Sequence, residues 1–459
     1  MEHIHFIGIG GTGLSAIARV LHESGQTVSG SDRALSPLAA ALRADGVTVH
    51  EGHAAANING ATVVVRSSAI PDTNIEVEAA RARGIPVLKR ADFLGQMMEK
   101  KTGIAIAGTH GKTTTTSMIA WMLTALGLDP TFISGGVITN LGTNARAGKG
   151  PHFVIEADEY DRMFLGLRPK IAIVTNVEHD HPDCFPTSED FFNAFREFIH
   201  LLPPDGTLIA CADDGDEHRL GANALLRELS TPGLVRVPYG LSDSCLVRGR
   251  NLTPQPGSGF QFDLYLASKF QTQVTLQVPG QHNVLNALAT LSVAHILGLP
   301  LPDATHTLNE FRGAGRRFEI RGEVNGVLVV DDYAHHPTEI RATLAAARAR
   351  YPARTLWVVW QPHTFSRIQT LSAEFAASFE NADHVIVTDV YASRETAPDG
   401  FTLQPLLEMI DHPAIEYIPA LNAVSEYLID HLHSGDVLLV LSAGDADQIS
   451  QMILERAYA

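Results

Sequence analysis

The chain has 459 residues, 45% of them hydrophobic and 19% charged, and a formal net charge of −17. That length suits two to four domains at about 100–200 residues each. The acidity argues against a basic surface for nucleic acid or anionic membrane, and no apolar run approaches the roughly 18 residues of a membrane span.

Three cysteines (Cys184, Cys211, Cys245) form no C-x-x-C pair. Their odd, low count fits a reducing compartment. "MEHIHFIG" lacks a basic start followed by an apolar stretch. No signal peptide is expected, and the cytoplasm is the expected location. Any bound phosphate must then be held by local devices: backbone N–H groups, one or two cations, and Mg²⁺.

Residues 3–100 alternate between strand-like and helix-like segments. "HIHFIGIG", "QTVSGSD", "VTVHEG", "ATVVVRSSA" and "IPVLKRA" read as short strands. "TGLSAIARVLHES", "SPLAAALRADG" and "NIEVEAARARG" read as helices ending near glycine. This alternation predicts a parallel sheet with helices on it. Within it, Gly8, Gly10 and Gly13 of "GIGGTG" follow the first strand, and Asp32 follows the second. That is the dinucleotide fingerprint in its proper context. It promises a diphosphate on a helix N-terminus and an acid near a ribose, but does not say which nucleotide. A tight strand–helix turn without a ligand reads the same way.

"EKKTG", residues 99–103, is a candidate linker. The next unit opens with the strand "GIAIAG" and the loop "GTHGKTTTT". This is a short form of the phosphate-binding loop, since Ile106 stands where the longer form has its first glycine. Such a loop aims N–H groups at phosphates on a helix N-terminus. The lysine reaches the β- and γ-phosphates, and the following hydroxyl holds Mg²⁺. Lys112 and Thr113 fit those roles, and Lys112 alone sits in a motif that demands a lysine. The plainer reading is a glycine turn with a solvated lysine.

"FVIEADE" and "KIAIVTNVEHDH" are strands that end in acids and histidines: Glu156, Asp158, Glu159, then Glu178, His179, Asp180, His181. In α/β sheets, ligands bind at the carboxyl ends of strands. An acid there, facing a phosphate loop, would hold Mg²⁺ through oxygen. An exposed polar loop is the alternative, and zinc is a weaker one, since no cysteine spacing supports it. Residues 257–279 alternate apolar and polar side chains, which predicts an antiparallel side sheet.

A boundary is expected near "FRGAGRRFE", residues 311–319. Beyond it come the strands "VLVVDDY", "TLWVVWQP", "DHVIVTDV" and "DVLLVLSAG", with helices between. Pro337 suits the first turn of one of those helices. "DDYAHHPTE" and "QPHTFSR" bring acids, His335, His336, His363 and Arg367 to strand ends. The expected organisation is three α/β domains in a row. Residues 1–100 form a Rossmann-like domain, 101–315 a P-loop domain with an extra antiparallel sheet, and 316–459 a second Rossmann-like domain.

Taken together, "AGTHGKTTTT", "EADE", "TNVEHDH", "PGQHNVLNA", "GRRFE" and "VDDYAHHPTE" resemble the Mur ligases, ATP-dependent amide-forming enzymes of peptidoglycan precursor synthesis. The resemblance runs over nearly the whole chain. "HFIGIGGTGLSAIA", "SGSD", "SSAIP", "QPHTFSR" and "VYASRE" are similar to the branch whose substrates are UDP-N-acetylmuramate and L-alanine.

The resemblance implies two nucleotides and so explains two phosphate cradles. Uridine diphosphate would lie on Gly10, Gly11, Thr12 and Gly13, with Asp32, Ser67 and Ser68. ATP would lie on Gly108, Thr109, His110, Gly111, Lys112, Thr113 and Thr114, with Asn283, Arg317 and Asp332. It implies Mg²⁺ on Thr113, Glu156 and His181, and catalytic roles for Lys112, His181 and Arg317. The amino acid would meet Tyr333, His363, Arg367 and Arg394, with Arg367 expected to grip its carboxylate in a bidentate way. Two departures stand out. Thr364 occupies the place where some relatives have arginine after "QPH", and "LSAGDADQI" matches the family's glycine-rich close only loosely. A ligase adding a tripeptide to the same nucleotide sugar, and an NAD-dependent oxidoreductase, are the rival expectations.

Overall fold

The computed structural model describes residues 2–216, 219–229 and 231–456. It divides into two compact units. The first comprises Met1–Val177, Phe192–Cys245 and Ser292–Leu299, and the second Glu178–Phe191, Leu246–Leu291 and Pro300–Ala459. No helix among the described residues is long and apolar enough to cross a membrane.

The first unit opens with five strands: β1 (His3–Ile7), β2 (Thr27–Asp32), β3 (Thr48–Glu51), β4 (Val63–Arg66) and β5 (Val87–Lys89). They pair in parallel in the order β3-β2-β1-β4-β5. The order reverses on either side of β1, so the crevice of this sheet lies where β1 runs into "GIGGTG". Gly30 of β2 is required by packing, because a Cβ there would come within 2.5 Å of the Ile9 side chain.

The unit continues with β6 (Thr102–Ala107), β7 (Thr131–Ile138), β8 (Thr143–Arg146), β9 (His152–Glu156), β10 (Ile171–Val174), β11 (Thr207–Cys211) and β12 (Val235–Gly240). Their order is β12-β11-β10-β6-β9-β7-β8, and only the β7–β8 pair is antiparallel. Thr102 already belongs to β6, so the linker is shorter than the charged "EKKTG" suggests. Ile104 to Ala107 are fully buried, which puts β6 at the centre of the packing. Each glycine loop joins the carboxyl end of a parallel strand, β1 or β6, to the start of a helix.

The second unit holds β13 (Val247–Pro254), β14 (Phe260–Leu266) and β15 (Lys269–Thr275), an antiparallel meander. The sequence shows the last two by alternation. It hides β13, whose "VRGRNLTP" carries glycine, asparagine and proline instead. The last sheet contains β16 (Glu319–Val324), β17 (Val327–Asp332), β18 (Leu356–Trp360), β19 (His384–Val387), β20 (Ile415–Tyr417) and β21 (Val437–Leu441). Its order is β16-β17-β21-β18-β19-β20, with β16 antiparallel at one edge. The short edge strands β16 and β20 have no apolar run to announce them. Pro337 opens the helix Pro337–Arg350, where His336 and Glu339 form a capping box.

One buried polar hub ties the first sheet together. Glu76 and His5 are both 0% exposed. The Glu76 carboxylate accepts from Ser31 Oγ (2.6 Å), Asn57 Nδ2 (2.7 Å) and the Ala54 N–H (3.0 Å), and His5 Nε2 lies 3.2 Å away. Burial alone would raise its pKa, but the bonds from His5, Ser31, Asn57 and Ala54 hold it down at about 2, below the usual 4.5. A carboxyl depressed on folding stabilises fully above its unfolded value, and that stabilisation fades as pH falls through the folded one. Glu76→Gln should therefore cost about 3 kcal/mol at neutral pH. Denaturant titrations of both proteins check this: the gap should shrink as pH falls from 4.5 toward 2. A gap that ignores pH would contradict the assignment.

Candidate active site

The phosphate loop joins β6 to the helix Lys112–Ala125. Gly108 and Gly111 take positive φ, 138° and 83°. At Gly108 a Cβ would also stand 1.9 Å from Thr175 Oγ1, so no other residue fits without rebuilding the loop. The loop is pinned from the end of β10. Asn176 accepts from the N–H groups of Thr109 (3.1 Å) and His110 (2.9 Å), and Thr175 Oγ1 donates to the His110 carbonyl (2.6 Å).

Lys112 Nζ donates to the Gly108 and Thr109 carbonyls (2.6 and 3.0 Å) and to Glu159 Oε1 (2.9 Å). Burial works to lower its pKa, but Glu159, Glu156 and Asp158 outweigh burial and raise it. The ammonium is thus held charged. Thr113 Oγ1 donates to Glu156 Oε1 at 3.0 Å, and the Gly135 N–H donates to Oε2 at 2.7 Å. Gly135 must be glycine for this approach, since a Cβ would come 2.6 Å from Glu156 Oε2. A hydroxyl and a carboxylate, both hard oxygen donors, fit Mg²⁺.

The other cradle lies in the same unit, between β1 and the helix Thr12–Glu23. The Gly10 N–H donates to Asp32 Oδ2 at 2.8 Å and the Arg33 N–H to Oδ1 at 2.7 Å. Each oxygen of Asp32 thus takes one backbone N–H, which ties the carboxylate to the glycine loop and leaves further lone pairs on both oxygens. Ser67 lies against Gly8, and Ser68 Oγ contacts Met163 Sδ at 3.8 Å. A cleft of about 190 Å³ runs from this loop to the metal-type acid, lined by Thr12, Gly13, Arg90, Gly135, Glu156 and Asp158 among others.

The remaining expected residues fall in the second unit. His181 has φ 54°, its N–H donates to Asp180 Oδ1 (2.7 Å), and its Nε2 lies 3.7 Å from Asp180 Oδ2. Asn283 is buried and turned onto its own helix start, donating to the Pro279 carbonyl at 2.7 Å and accepting from Asn286 at 3.0 Å. Asp332 accepts from the N–H groups of Phe318 and Ala334, each at 2.8 Å. Burial lifts its pKa to about 6 despite Arg317 and these bonds. Arg316 and Arg317 flank the Tyr333 ring, each 5.0 Å from its centroid.

Tyr333, His335, His363 and Tyr391 follow one another as a column of rings. Arg367, expected to grip the amino acid's carboxylate, is instead 2% exposed and bound to a protein carboxylate. Its Nε and Nη2 both reach Asp180 Oδ1, at 2.9 and 2.8 Å, and Nη1 donates to His363 Nδ1 at 2.9 Å. Arg394 pairs with Asp183 Oδ2 through Nε (3.0 Å) and Nη2 (2.7 Å).

Sequence reasoning left three partners without a role. Glu159, the last acid of "EADE", is the one that holds Lys112. Asp180, inside "EHDH", is the buried partner of Arg367. Arg90 enters the cleft from a segment with no motif at all. For the two acids the signal was their place just past a strand; for Arg90 none existed.

Known proteins share this arrangement. The Mur ligase family catalytic domain matches residues 3–102, the Mur ligase middle domain 106–294, and the Mur ligase glutamate ligase domain 316–444. A UDP-N-acetylmuramate–L-alanine ligase of Acidithiobacillus ferrooxidans is 45% identical over 453 residues, covering 97% of this chain and 95% of that protein. The enzyme of that name from Caldanaerobacter subterraneus subsp. tengcongensis is 40% identical over 457 residues, covering 99% and 97%. The crystal structure of UDP-N-acetylmuramate–alanine ligase from Thermotoga maritima superposes with a TM-score of 0.82 at 30% identity, over 100% of this chain and 99% of that one. With three family domains matched in order and relatives aligned end to end, the chain belongs to the Mur ligase family.

Proposed function

We infer that this chain joins L-alanine to the lactyl carboxylate of UDP-N-acetylmuramate at the expense of ATP, in peptidoglycan synthesis. One observation carries the reading: a diphosphate cradle and a phosphate-loop acid line a single cleft. An oxidoreductase reading of "GIGGTG" leaves Lys112, Thr113 and Glu156 without employment. The sparse cysteines and acidic surface suit the cytoplasm as its compartment.

A carboxylate is a poor acyl donor, so it is first activated. Its oxygen attacks the γ-phosphorus of ATP, the bond to the β-γ bridging oxygen breaks, and ADP leaves. The amine nitrogen of alanine then attacks the acyl carbon of the acyl phosphate. The C–O bond to phosphate breaks, inorganic phosphate leaves, and the nitrogen gives up its proton. Mg²⁺, when bound, would neutralise charge on the transferring phosphoryl group. Thr113 and Glu156 supply oxygen ligands for it, with His181 as the family's third candidate.

The chain's own part in the first step is positioning and charge. The N–H groups of Thr109 and His110 are bound to Asn176. The phosphates are then met by Lys112 and the N-terminus of its helix. The family resemblance assigns Arg317 and Asp332 to ATP, and Gly10 to Gly13 with Asp32, Ser67 and Ser68 to the uridine diphosphate. Tyr333, His363 and Arg394 surround the amino acid. His363 is pushed down to about 3 by burial and by His335, Arg367 and Arg394. A neutral ring with so low a value is a hydrogen-bonding group here and a poor base for an ammonium.

Removing the Lys112 cation takes away one fixed charge where charge develops. Lys112→Ala should lower the turnover number by about 10²–10³, worth about 3–4 kcal/mol, and should also lower the melting temperature because it leaves the buried Glu159 without this cation. Phosphate release measured with all three substrates checks this, and near-normal turnover would remove Lys112 from the site.

An alanine pocket admits one methyl group and excludes larger side chains by overlap. Glycine loses that methyl and should react about 10–200-fold less efficiently, and serine should fall short by about 10²-fold. A charged tripeptide should be inactive. Competitive phosphate-release assays give the order, and a preference for the tripeptide would make this the other ligase.

Arg367 gives a stability test. Arg367→Ala strands the buried Asp180 charge and should cost about 3–5 kcal/mol. Adding Asp180→Asn should restore part of that loss, since the stranded charge goes with it. Melting curves of the two variants decide this; an exposed, substrate-facing arginine would show almost no loss.

A further inference from the structure

We propose that Arg90 binds the diphosphate of the nucleotide sugar, together with the "GIGGTG" loop. The proposal rests on the reading above that this loop holds that diphosphate. Arg90 begins the helix Arg90–Met98. The helix has a rigid seat against residues 160–166. A Cβ at Gly95 would stand 2.2 Å from the Gly166 carbonyl oxygen, and one at Gly166 would stand 2.5 Å from the Ala91 carbonyl carbon. Backbone meets backbone there, so the start of the helix cannot drift.

That seat carries the guanidinium across the first turn of the helix Thr12–Glu23. A Cβ at Gly13 would lie 1.8 Å from Arg90 Nη1. The last glycine of the loop thus leaves room for an arginine as well as for a phosphate. The guanidinium is only partly used. Nη2 meets Asp158 Oδ2 at 3.1 Å and the weak acceptor Met163 Sδ at 3.2 Å. Nη1 makes no hydrogen bond among the described residues, and Nε is buried without a partner. A donor with unused N–H groups beside a helix N-terminus is suited to an anion.

Charge balance argues the same way. The cleft contains Glu156 and Asp158, and Arg90 is the one cation among its lining residues. A diphosphate laid on the loop would otherwise face two carboxylates with only backbone N–H groups to offset them. Asp158 keeps Arg90 at hand without using up its fork.

The test is calorimetric titration of the full-length chain with UDP, and separately with UDP-N-acetylmuramate and ATP. Arg90→Ala should weaken both uridine ligands by about 10–100-fold, the worth of a charge-assisted bond to phosphate. ATP affinity should stay within about twofold, and Arg90→Lys should recover part of the loss. Unchanged UDP binding by a folded Arg90→Ala would overturn the proposal. So would a loss confined to UDP-N-acetylmuramate, which would put the guanidinium on the sugar acid. Failure of the unmutated chain to bind UDP would overturn the nucleotide-sugar reading itself, and the proposal with it.

Discussion

Three carboxylates within four residues organise the first unit. β9 is paired with β6 so that Glu156 stands opposite Ile106, at the last rung before the phosphate loop. Glu156 then takes the Thr113 hydroxyl, Asp158 takes Arg90, and Glu159 takes Lys112. Two of the acids thus hold the first turn after the phosphate loop, and the third holds the arginine beside the other glycine loop. A slip of one residue in this ladder would turn Glu156 to the opposite face of the sheet. Phe153, Val154 and Ile155 are buried on both faces of the sheet, so a slip would force each into the packing of the opposite face.

This answers how so acidic a chain holds anionic substrates. Its net charge of −17 would repel them at a distance. At the site, Lys112 and Arg90 each sit beside a carboxylate of "EADE". The acids fix the cations in place and, for Lys112, raise its pKa. The local field is thus set by a few groups at contact distance. Screening at about a Debye length removes the influence of the distant surface.

The parts of the site that were legible in the sequence are the local ones. A glycine loop announces itself because its strand, turn and helix are contiguous, and Gly108 and Gly111 do take the conformations such a turn needs. The acids of "EADE" were visible because they follow an apolar run. Their partners were not, because those are chosen by the fold: Arg90 lies 68 residues from Asp158, and Arg367 lies 187 from Asp180. Arg367 shows the converse: the motif "QPHTFSR" suggested a ligand for it, and the fold turns its guanidinium onto Asp180. The strands β7, β8, β11, β12, β13, β16 and β20 were not read from the sequence: most are short or interrupted by glycine or proline, and the short apolar run of β11 has no period that tells strand from helix.

In the second unit, the Asp180–Arg367 pair makes a chemical statement about His363. Arginine can only donate, so Nη1 at 2.9 Å from His363 Nδ1 makes that ring nitrogen the acceptor. The neutral ring must then carry its proton on Nε2. Protonating Nδ1 as well would set two donors against each other, which burial and the neighbouring cations already oppose. Asp180 keeps the guanidinium in place, held well below the usual carboxylate range against its burial by Arg367 and by His181, His336 and His335. The tautomer of His363 is therefore decided two side chains away, by a carboxylate that need not touch a substrate. A ring locked as an Nε2–H donor can orient an acceptor, but it cannot take the proton that alanine must lose. That proton has to leave by another group or through solvent.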